Sequence, residues 1–177
     1  MRLARRGLAA LAAATLATLG EPETAAAQRR LEAMLSWSIP APPGRIAGPI
    51  HFVGSNGLAS YLIETPDGLI LIDGGMPGTA RHVEASIREL RFDPKNIKWL
   101  LITHAHIDHA GATAHLQMAS RTDPTNPKTG ARVAVMAQDV PHAESGGATD
   151  PVYGHVPLAR FPKFKVDRKL ANGDSVT

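Results

Sequence analysis

Four residues that commonly bind metal ions stand within six consecutive positions, at His104, His106, Asp108 and His109. In an extended segment, side chains two residues apart point to the same side, so the first three can converge on one ion. A bend at Ala110-Gly111 can then swing His109 inward. Imidazole and carboxylate groups are ligands that suit Zn²⁺. Because four of them exceed what one tetrahedral site needs once other segments contribute, the segment predicts two neighbouring metal ions.

An apolar strand leads directly into this segment. Residues 98–103 form a nearly continuous apolar run, which is typical of a strand covered on both faces. Binding sites of α/β folds lie where such strands end, and Gly111 permits a tight turn after the histidines. The alternative is a solvated histidine-rich loop that binds nothing. Neither the position of the segment after a strand nor the glycine at 111 favours this alternative.

The elements around this strand predict an α/β fold with mixed sheets. Three short apolar runs separated by turn sequences predict an antiparallel meander. Apolar residues at helical spacing predict a helix that begins near Pro77 and ends near Leu90. Further along, a short helix to about Ala119, an exposed loop over 121–130 and a short strand are expected. The apolar runs of the meander are His51–Val53, Leu58–Thr65 and Leu69–Ile72, and the last strand is Val133–Met136.

The composition excludes several classes of protein. None of the 177 residues is Cys, which excludes a disulfide scaffold, a thiolate nucleophile and an iron–sulfur cluster. Lys and Arg number 19 against 16 Asp and Glu, which gives a net charge of +3. Basic residues are scattered beyond the first few positions, so nucleic acid is not an expected partner.

The histidine motif and its surroundings resemble the metallo-β-lactamase superfamily. The motif His-x-His-x-Asp-His at 104–109 follows a hydrophobic strand that ends at Thr103 and a turn at 73–75. The likeness extends from about Trp37 to the end of the chain, and with the lack of cysteine it resembles the β-lactamase subclass that uses no cysteine ligand. It implies an αββα sandwich, of which this chain is the N-terminal portion. The other matching segments are Thr65–Gly68, Ile72–Pro77, Gly130–Val133 and Ser145–Gly147.

The resemblance implies a ligand set and a reaction. His104 and His106 would bind one zinc ion, and Asp108 and His109 would bind a second. The reaction would be zinc-dependent hydrolysis of the amide bond of a β-lactam, the small-molecule partner, by a metal-bound hydroxide. Asp108 would be the catalytic residue that orients this hydroxide, and the activity would give antibiotic resistance.

Two other hypotheses remain open. Glyoxalases, lactonases and nucleases of the same fold share the histidine motif, so the alternative is a related zinc hydrolase acting on an ester, thioester or lactone. The third hypothesis is a non-catalytic binding domain. The residues downstream of this chain would separate the first two.

Asp73 is expected to support the metal-binding loop. It follows an apolar strand and precedes two glycines, and it resembles a buried aspartate of the family that hydrogen-bonds to that loop. The alternative is an aspartate that only ends a strand. The other five histidines have no partners at ligand spacing and are expected to be exposed or hydrogen-bonded: His51, His82, His115, His142 and His155.

The ends of the chain carry separate expectations. Residues 1–27 combine a basic start, an apolar run of about 12 residues and an Ala-x-Ala site, which predicts a secretory signal peptide. That run is shorter than the roughly 20 residues that a bilayer requires, so a periplasmic or secreted protein without membrane attachment is expected after cleavage.

Residues 28–49 are proline-rich and predict an extended arm without helix or sheet, and 50–177 would be a partial metallo-β-lactamase domain. The remaining zinc ligands are expected beyond Thr177, so the 177-residue chain alone is expected to be inactive.

Overall fold

The computed structural model describes residues 36–176, which form a seven-stranded sheet with helices packed on one face. The predicted signal peptide and residues 28–35 of the predicted arm lie outside the described residues. No helix within 36–176 combines the length and apolarity needed to cross a membrane. The strands are β1 (Gly44–Ala47), β2 (Ile50–Phe52), β3 (Tyr61–Thr65), β4 (Gly68–Ile72), β5 (Ile97–Ile102), β6 (Arg132–Met136) and β7 (Arg168–Leu170). The helices are α1 (Ala80–Glu89), α2 (Ile107–Ala110), α3 (Thr113–Ala119) and α4 (Val140–Ser145), with 3-10 turns at Pro77–Thr79, Pro94–Asn96, Pro127–Thr129, Ala137–Asp139 and Pro157–Ala159.

The strands lie side by side in the same order as in the chain. β1 to β4 pair antiparallel, and β2 to β4 are the predicted meander. β4 to β7 pair parallel, with helices in the connections from β4 to β5, from β5 to β6 and from β6 to β7. The mixed α/β sheet expected from the sequence is therefore confirmed.

The expectation that the arm contains no sheet is wrong for Gly44–Ala47, which forms β1. Arg45 lies opposite His51 of β2, and Pro40 forms an isolated bridge with Ser55. The prolines flank this strand and do not interrupt it, and β1 is an edge strand that needs hydrogen bonds on one side only.

One face of the sheet and the helices enclose a hydrophobic core. Alternate residues of β4 and β5, such as Leu71 and Leu100, meet Ile87 of α1 and Leu116 of α3 there. Burial of each such side chain stabilises the fold by about 1.5–3 kcal/mol. Among the core residues, the largest that are fully buried are Leu62, Leu71, Ile87, Leu100, Leu116, Val53, Val83, Val133 and Val135.

β5 is buried on both faces at its centre, as its apolar run predicted. Leu100 is 1% exposed on the helix side and Trp99 is 3% exposed. The guanidinium of Arg132, the residue beside Trp99 in β6, lies 3.9 Å from the centre of the indole ring. β5 therefore forms a well-covered support for the residues that follow it.

The loop over residues 121–130 is exposed, as expected, and local turns hold it together. Asp123 Oδ1 accepts hydrogen bonds from the Thr125 N–H at 2.9 Å and the Thr125 hydroxyl at 2.7 Å. Asn126 Oδ1 accepts a hydrogen bond from the Lys128 N–H at 3.0 Å. Such side-chain turns are local and need no tertiary partner.

Candidate metal centre

The histidine segment begins at the edge of the sheet where β4 and β5 end together. β4 is followed by Asp73, and β5 is followed by Thr103 and His104. The Asp73 N–H donates a hydrogen bond to the Leu101 carbonyl at 2.9 Å. This contact brings together two chain segments that are about 30 residues apart in sequence.

A single helical turn makes the candidate ligand side chains converge. His104, His106 and Asp108 each place one ligand atom so that the three atoms lie within 4.8 Å of one another. The expected cause, a fully extended segment, is wrong, because Asp108 lies in α2 (Ile107–Ala110). His106 is the extended residue before this helix, and its carbonyl accepts a hydrogen bond from the Ala110 N–H at 2.7 Å.

Gly111 is needed here for close packing and not for a special backbone conformation. Its φ of −58° is ordinary helical geometry. A Cβ at this position would lie 2.3 Å from the Ile107 carbonyl oxygen and 2.5 Å from Cδ of Pro77. Only glycine therefore lets α2 pack against the turn that follows Asp73.

Asp73 connects the segment to the sheet. Its Oδ1 accepts the Thr103 N–H at 2.8 Å, and its Oδ2 accepts the Thr103 hydroxyl at 2.7 Å. Oδ2 also lies 2.8 Å from Nδ1 of His109. Since an ionised carboxylate can only accept, Nδ1 carries the proton and Nε2 is the nitrogen left for a metal.

The backbone of Asp73 is in the left-handed region, with φ +56°. Aspartate adopts this conformation more readily than most residues other than glycine. The residue is 5% exposed, so the surrounding contacts hold it there. Backbone strain of this kind is concentrated at functional sites.

His109 lies beside the three-residue cluster. Its Nε2 is 3.4 Å from Asp108 Oδ2, and its ring centre is 4.0 Å from that of His104. Tetrahedral zinc with bonds of about 2.1 Å places neighbouring ligand atoms about 3.4 Å apart. Asp108 and His109 therefore have the spacing of two ligands of one ion.

The ionisation of the cluster reflects its burial and its hydrogen bonds. Burial lowers the pKa of His104, and the charges of His109 and His106 lower it further. The hydrogen bond to Asp108, followed by that to Asp73, raises the pKa of His109 to about 9. The same hydrogen bond from His109 lowers the pKa of Asp108. In the metal-free protein, the protonated ring of His109 therefore places a positive charge between the carboxylates of Asp108 and Asp73.

Asp150 and Tyr153 contact the centre, although no pattern in the sequence indicates that they do. Asp150 Oδ2 lies 3.0 Å from Nε2 of His106, and the ring of Tyr153 meets the His106 ring edge-on with centres 5.2 Å apart. Both residues belong to an irregular segment rich in proline and glycine. Asp150-Pro151 signals a turn in sequence, but no spacing points to a partner 44 residues earlier.

The five other histidines lie outside the cluster. Four are hydrogen-bonded or exposed, as expected, but the expectation is wrong for His51, which is 7% exposed and has no hydrogen-bond partner among the described residues on either ring nitrogen. The contacts of the others are His82 with the Gly54 carbonyl at 2.7 Å, His115 with Glu84 at 3.0 Å and His142 with Thr149 at 3.0 Å, while His155 is exposed.

A comparison with protein families identifies this arrangement. The family model described as "Metallo-beta-lactamase superfamily" matches residues 56–176, which include Asp73 and all four expected metal ligands. The chain belongs to the metallo-β-lactamase superfamily. The α/β architecture of residues 36–176 matches the metallo-β-lactamase fold, so the family and the fold class expected from the sequence are confirmed.

Solved structures of metallo-β-lactamases are similar to this chain. The subclass B3 enzyme BJP-1 of Bradyrhizobium japonicum is 36% identical, with a TM-score of 0.72 over 82% of this chain and 51% of its own. FEZ-1 from Legionella gormanii is 38% identical, with a TM-score of 0.71 over 79% and 50%. MIM-1 from Novosphingobium pentaromativorans is 43% identical, with a TM-score of 0.70 over 80% and 48%. The chain thus spans about half the length of these metallo-β-lactamases.

The residues present fit the divalent metal that the metallo-β-lactamase family implies. Two imidazoles and a carboxylate converge within 4.8 Å, and His109 adds a nitrogen at ligand spacing from Asp108. Nitrogen and oxygen donors of these types bind zinc without any thiolate. The described part of the chain therefore offers nitrogen and oxygen donors for a divalent metal ion.

Proposed function

We propose that the complete protein is a zinc-dependent hydrolase that opens the amide bond of β-lactams and so confers antibiotic resistance, in the periplasm or outside the cell. The observation that carries the proposal is the convergence of His104, His106 and Asp108 at the end of β5. Membership of the metallo-β-lactamase superfamily supports it. The similarity to three proteins that are named as metallo-β-lactamases supports it further.

The contacts of the rings indicate which atoms would hold two zinc ions. His104 Nδ1 lies 3.3 Å from the Thr103 hydroxyl, and His106 Nε2 lies 3.0 Å from Asp150, so His104 would bind through Nε2 and His106 through Nδ1. Asp108 Oδ2 and His109 Nε2 would hold the second ion. When bound, zinc lowers the pKa of a coordinated water to about 7 and polarises a substrate carbonyl.

The side chains would orient the reactants. Asp108 is half-buried next to the three imidazoles, and its carboxylate would accept a hydrogen bond from the attacking water and fix its direction. Asp73 and Thr103 would keep α2 fixed during this step, because their hydrogen bonds attach it to the ends of β4 and β5. This arrangement requires no covalent intermediate between enzyme and substrate.

The test uses the purified complete gene product. It would be assayed with a chromogenic cephalosporin, an aryl ester, a thioester and a lactone, first as purified, then after chelation and after zinc is restored. We expect cephalosporin hydrolysis that chelation abolishes and zinc restores. As a control, the exposed Asp67→Asn variant should behave as the parent does.

Two outcomes would contradict the proposal. Turnover of the ester, thioester or lactone without turnover of the cephalosporin would favour the related hydrolase. A stable acyl-enzyme observed by mass spectrometry would instead demonstrate a covalent nucleophile.

A further inference from the structure

Asp150 lies in a tight turn that fixes the direction of its carboxylate. Oδ1 accepts the backbone N–H groups of Val152 at 2.8 Å and Tyr153 at 2.6 Å. The Asp150 carbonyl accepts the Gly154 N–H at 2.9 Å, which closes the turn. One carboxylate oxygen is therefore used by the turn itself, and the other is directed away from it.

The turn depends on glycine at its last position. A Cβ on Gly154 would lie 2.3 Å from the Asp150 carbonyl oxygen and 2.8 Å from that of Ala148. No side chain fits that space without displacing backbone. The position of the Asp150 carboxylate is thus set by local backbone geometry and not by chance contact.

The second carboxylate oxygen faces His106. Oδ2 of Asp150 lies 3.0 Å from Nε2 of His106, and the Asp150 side chain is 7% exposed. Since the carboxylate can only accept, the proton of the neutral His106 ring lies on Nε2 and the lone pair lies on Nδ1. The ring of Tyr153 packs edge-on against the same imidazole, at an angle of 84°. His106 is therefore oriented by two residues of one turn.

We propose that Asp150 is a positioning residue of the metal centre: it holds His106 in the tautomer and orientation in which Nδ1 faces His104 and Asp108, and so sets the affinity for zinc. The inference rests on the proposed function in one respect, that the ion is zinc. Its physical basis is general, because a carboxylate that accepts the proton of a metal-binding imidazole fixes the ring and makes it a better ligand.

The contacts of His109 support this reading. Asp73 accepts the proton on its Nδ1, whereas Asp150 accepts the proton on Nε2 of His106. His109 is thus directed to the centre through Nε2 and His106 through Nδ1. Asp73 precedes the histidine segment in the sequence, and Asp150 follows it. Loss of either carboxylate should misdirect one ring only.

Two substitutions separate the contact with His106 from the turn. In Asp150→Asn, the amide oxygen can still accept the two N–H groups of the turn, but the NH₂ group then faces Nε2. Because the NH₂ group donates, Nε2 must accept and the ring proton moves to Nδ1. In Asp150→Ser, the hydroxyl still supports the turn but is too short to reach His106.

Asp123→Asn is the matched control. Asp123 Oδ1 accepts a backbone N–H two residues later, as Asp150 Oδ1 does, but it lies in the exposed loop over 121–130.

The complete gene product and the three variants would be labelled with ¹⁵N on histidine and freed of metal. Two-bond ¹H–¹⁵N spectra at alkaline pH report the tautomer of each neutral ring. Competition with a chromogenic chelator then gives the zinc affinity.

We expect His106 to be the Nε2–H tautomer in the parent and in Asp123→Asn, and the Nδ1–H tautomer in Asp150→Asn. Zinc affinity should fall about 10- to 100-fold in Asp150→Asn, and Asp150→Ser should show mixed tautomers and a smaller loss. If Asp150 serves only the turn, Asp150→Asn should leave the His106 tautomer unchanged and the zinc affinity within about twofold of the parent. An unchanged tautomer or an unchanged zinc affinity would each overturn the proposal. So would an Nδ1–H tautomer in the parent, which is measured without any substitution.

The outcome is independent of catalysis. A protein that shows these tautomers and affinities but leaves cephalosporins intact contradicts the proposed function and supports the role of Asp150. Failure of the parent to bind zinc contradicts both.

Discussion

Oδ2 of Asp73 and Nδ1 of His109 lie 2.8 Å apart, although 36 positions separate the two residues in the chain. The same carboxylate accepts two hydrogen bonds from Thr103. Asp73 thereby connects the end of β4, the end of β5 and α2. The geometry of the histidine segment depends on Asp73. Both of its carboxylate oxygens accept hydrogen bonds from groups of the protein.

Asp73→Asn should weaken one zinc position and slow hydrolysis. Asparagine also tolerates φ +56°, so the backbone is retained. Its NH₂ group would donate to Nδ1 of His109 and move the ring proton to Nε2, the metal-facing nitrogen. We expect turnover to fall about 10- to 100-fold and the zinc content at equilibrium dialysis to fall towards one ion. Two bound ions and parental turnover would show that Asp73 only ends a strand.

Asp108→Asn should reduce turnover far more than stability. The substitution removes the negative charge that faces His109 and replaces one of the two oxygens that could accept a hydrogen bond from water by an NH₂ donor, but it keeps the size of the side chain. Cephalosporin turnover at saturating zinc should fall about 100-fold or more, while the melting temperature changes little. The Asp67→Asn variant is the control, and turnover of Asp108→Asn within about threefold of the parent would remove Asp108 from the mechanism.

The metal-free protein should lose stability as the pH rises, through His109. Hydrogen bonds to Asp108 and then Asp73 raise its pKa from 6.5 to about 9. The folded state binds the proton more tightly than the unfolded state, so the stabilisation is complete below about pH 6.5 and is lost as the pH rises through about 9. Melting temperatures in chelator should show the parent exceeding His109→Gln most at pH 6 and least at pH 9.5. A difference that does not change with pH would contradict this.

His51→Leu should stabilise the protein. The His51 ring is buried beside Phe92, with ring centres 5.1 Å apart, and its nitrogens have no partner within the described residues. Replacement of an unsatisfied polar group by an apolar one of similar size should raise the free energy of unfolding by about 1 kcal/mol. Thermal melts would be compared with Ile50→Leu, an exposed position on the same strand. A lower melting temperature would indicate that the ring has a partner after all.

The mature protein should begin at Gln28. The basic start, the short apolar run and the Ala-x-Ala site before this residue predict cleavage there on export. N-terminal sequencing of protein from the periplasmic fraction is the measurement. Protein that retains Met1 and stays in the cytoplasm would contradict both the cleavage and the localisation.

The sequence predicted those parts of the structure that local patterns determine. The meander, β5 and the helix that contains Ile87 follow from apolar spacing, and the histidine cluster follows from its position after β5. β1 was missed because neighbouring prolines concealed a short edge strand. α2 was missed because a single helical turn has no periodicity to detect. Asp150 was missed because its contact with His106 is long-range and is produced by backbone geometry.

The order of the strands also bears on how the centre forms as the chain emerges, N-terminus first, during synthesis or export. β1 to β7 lie in the sheet in the sequence in which the ribosome makes them, so each new strand meets a neighbour that already exists. Asp73 emerges before His109, which it orients, whereas Asp150 emerges 44 residues after His106. Zinc that binds before Asp150 has emerged would meet a His106 ring whose direction the turn does not yet fix.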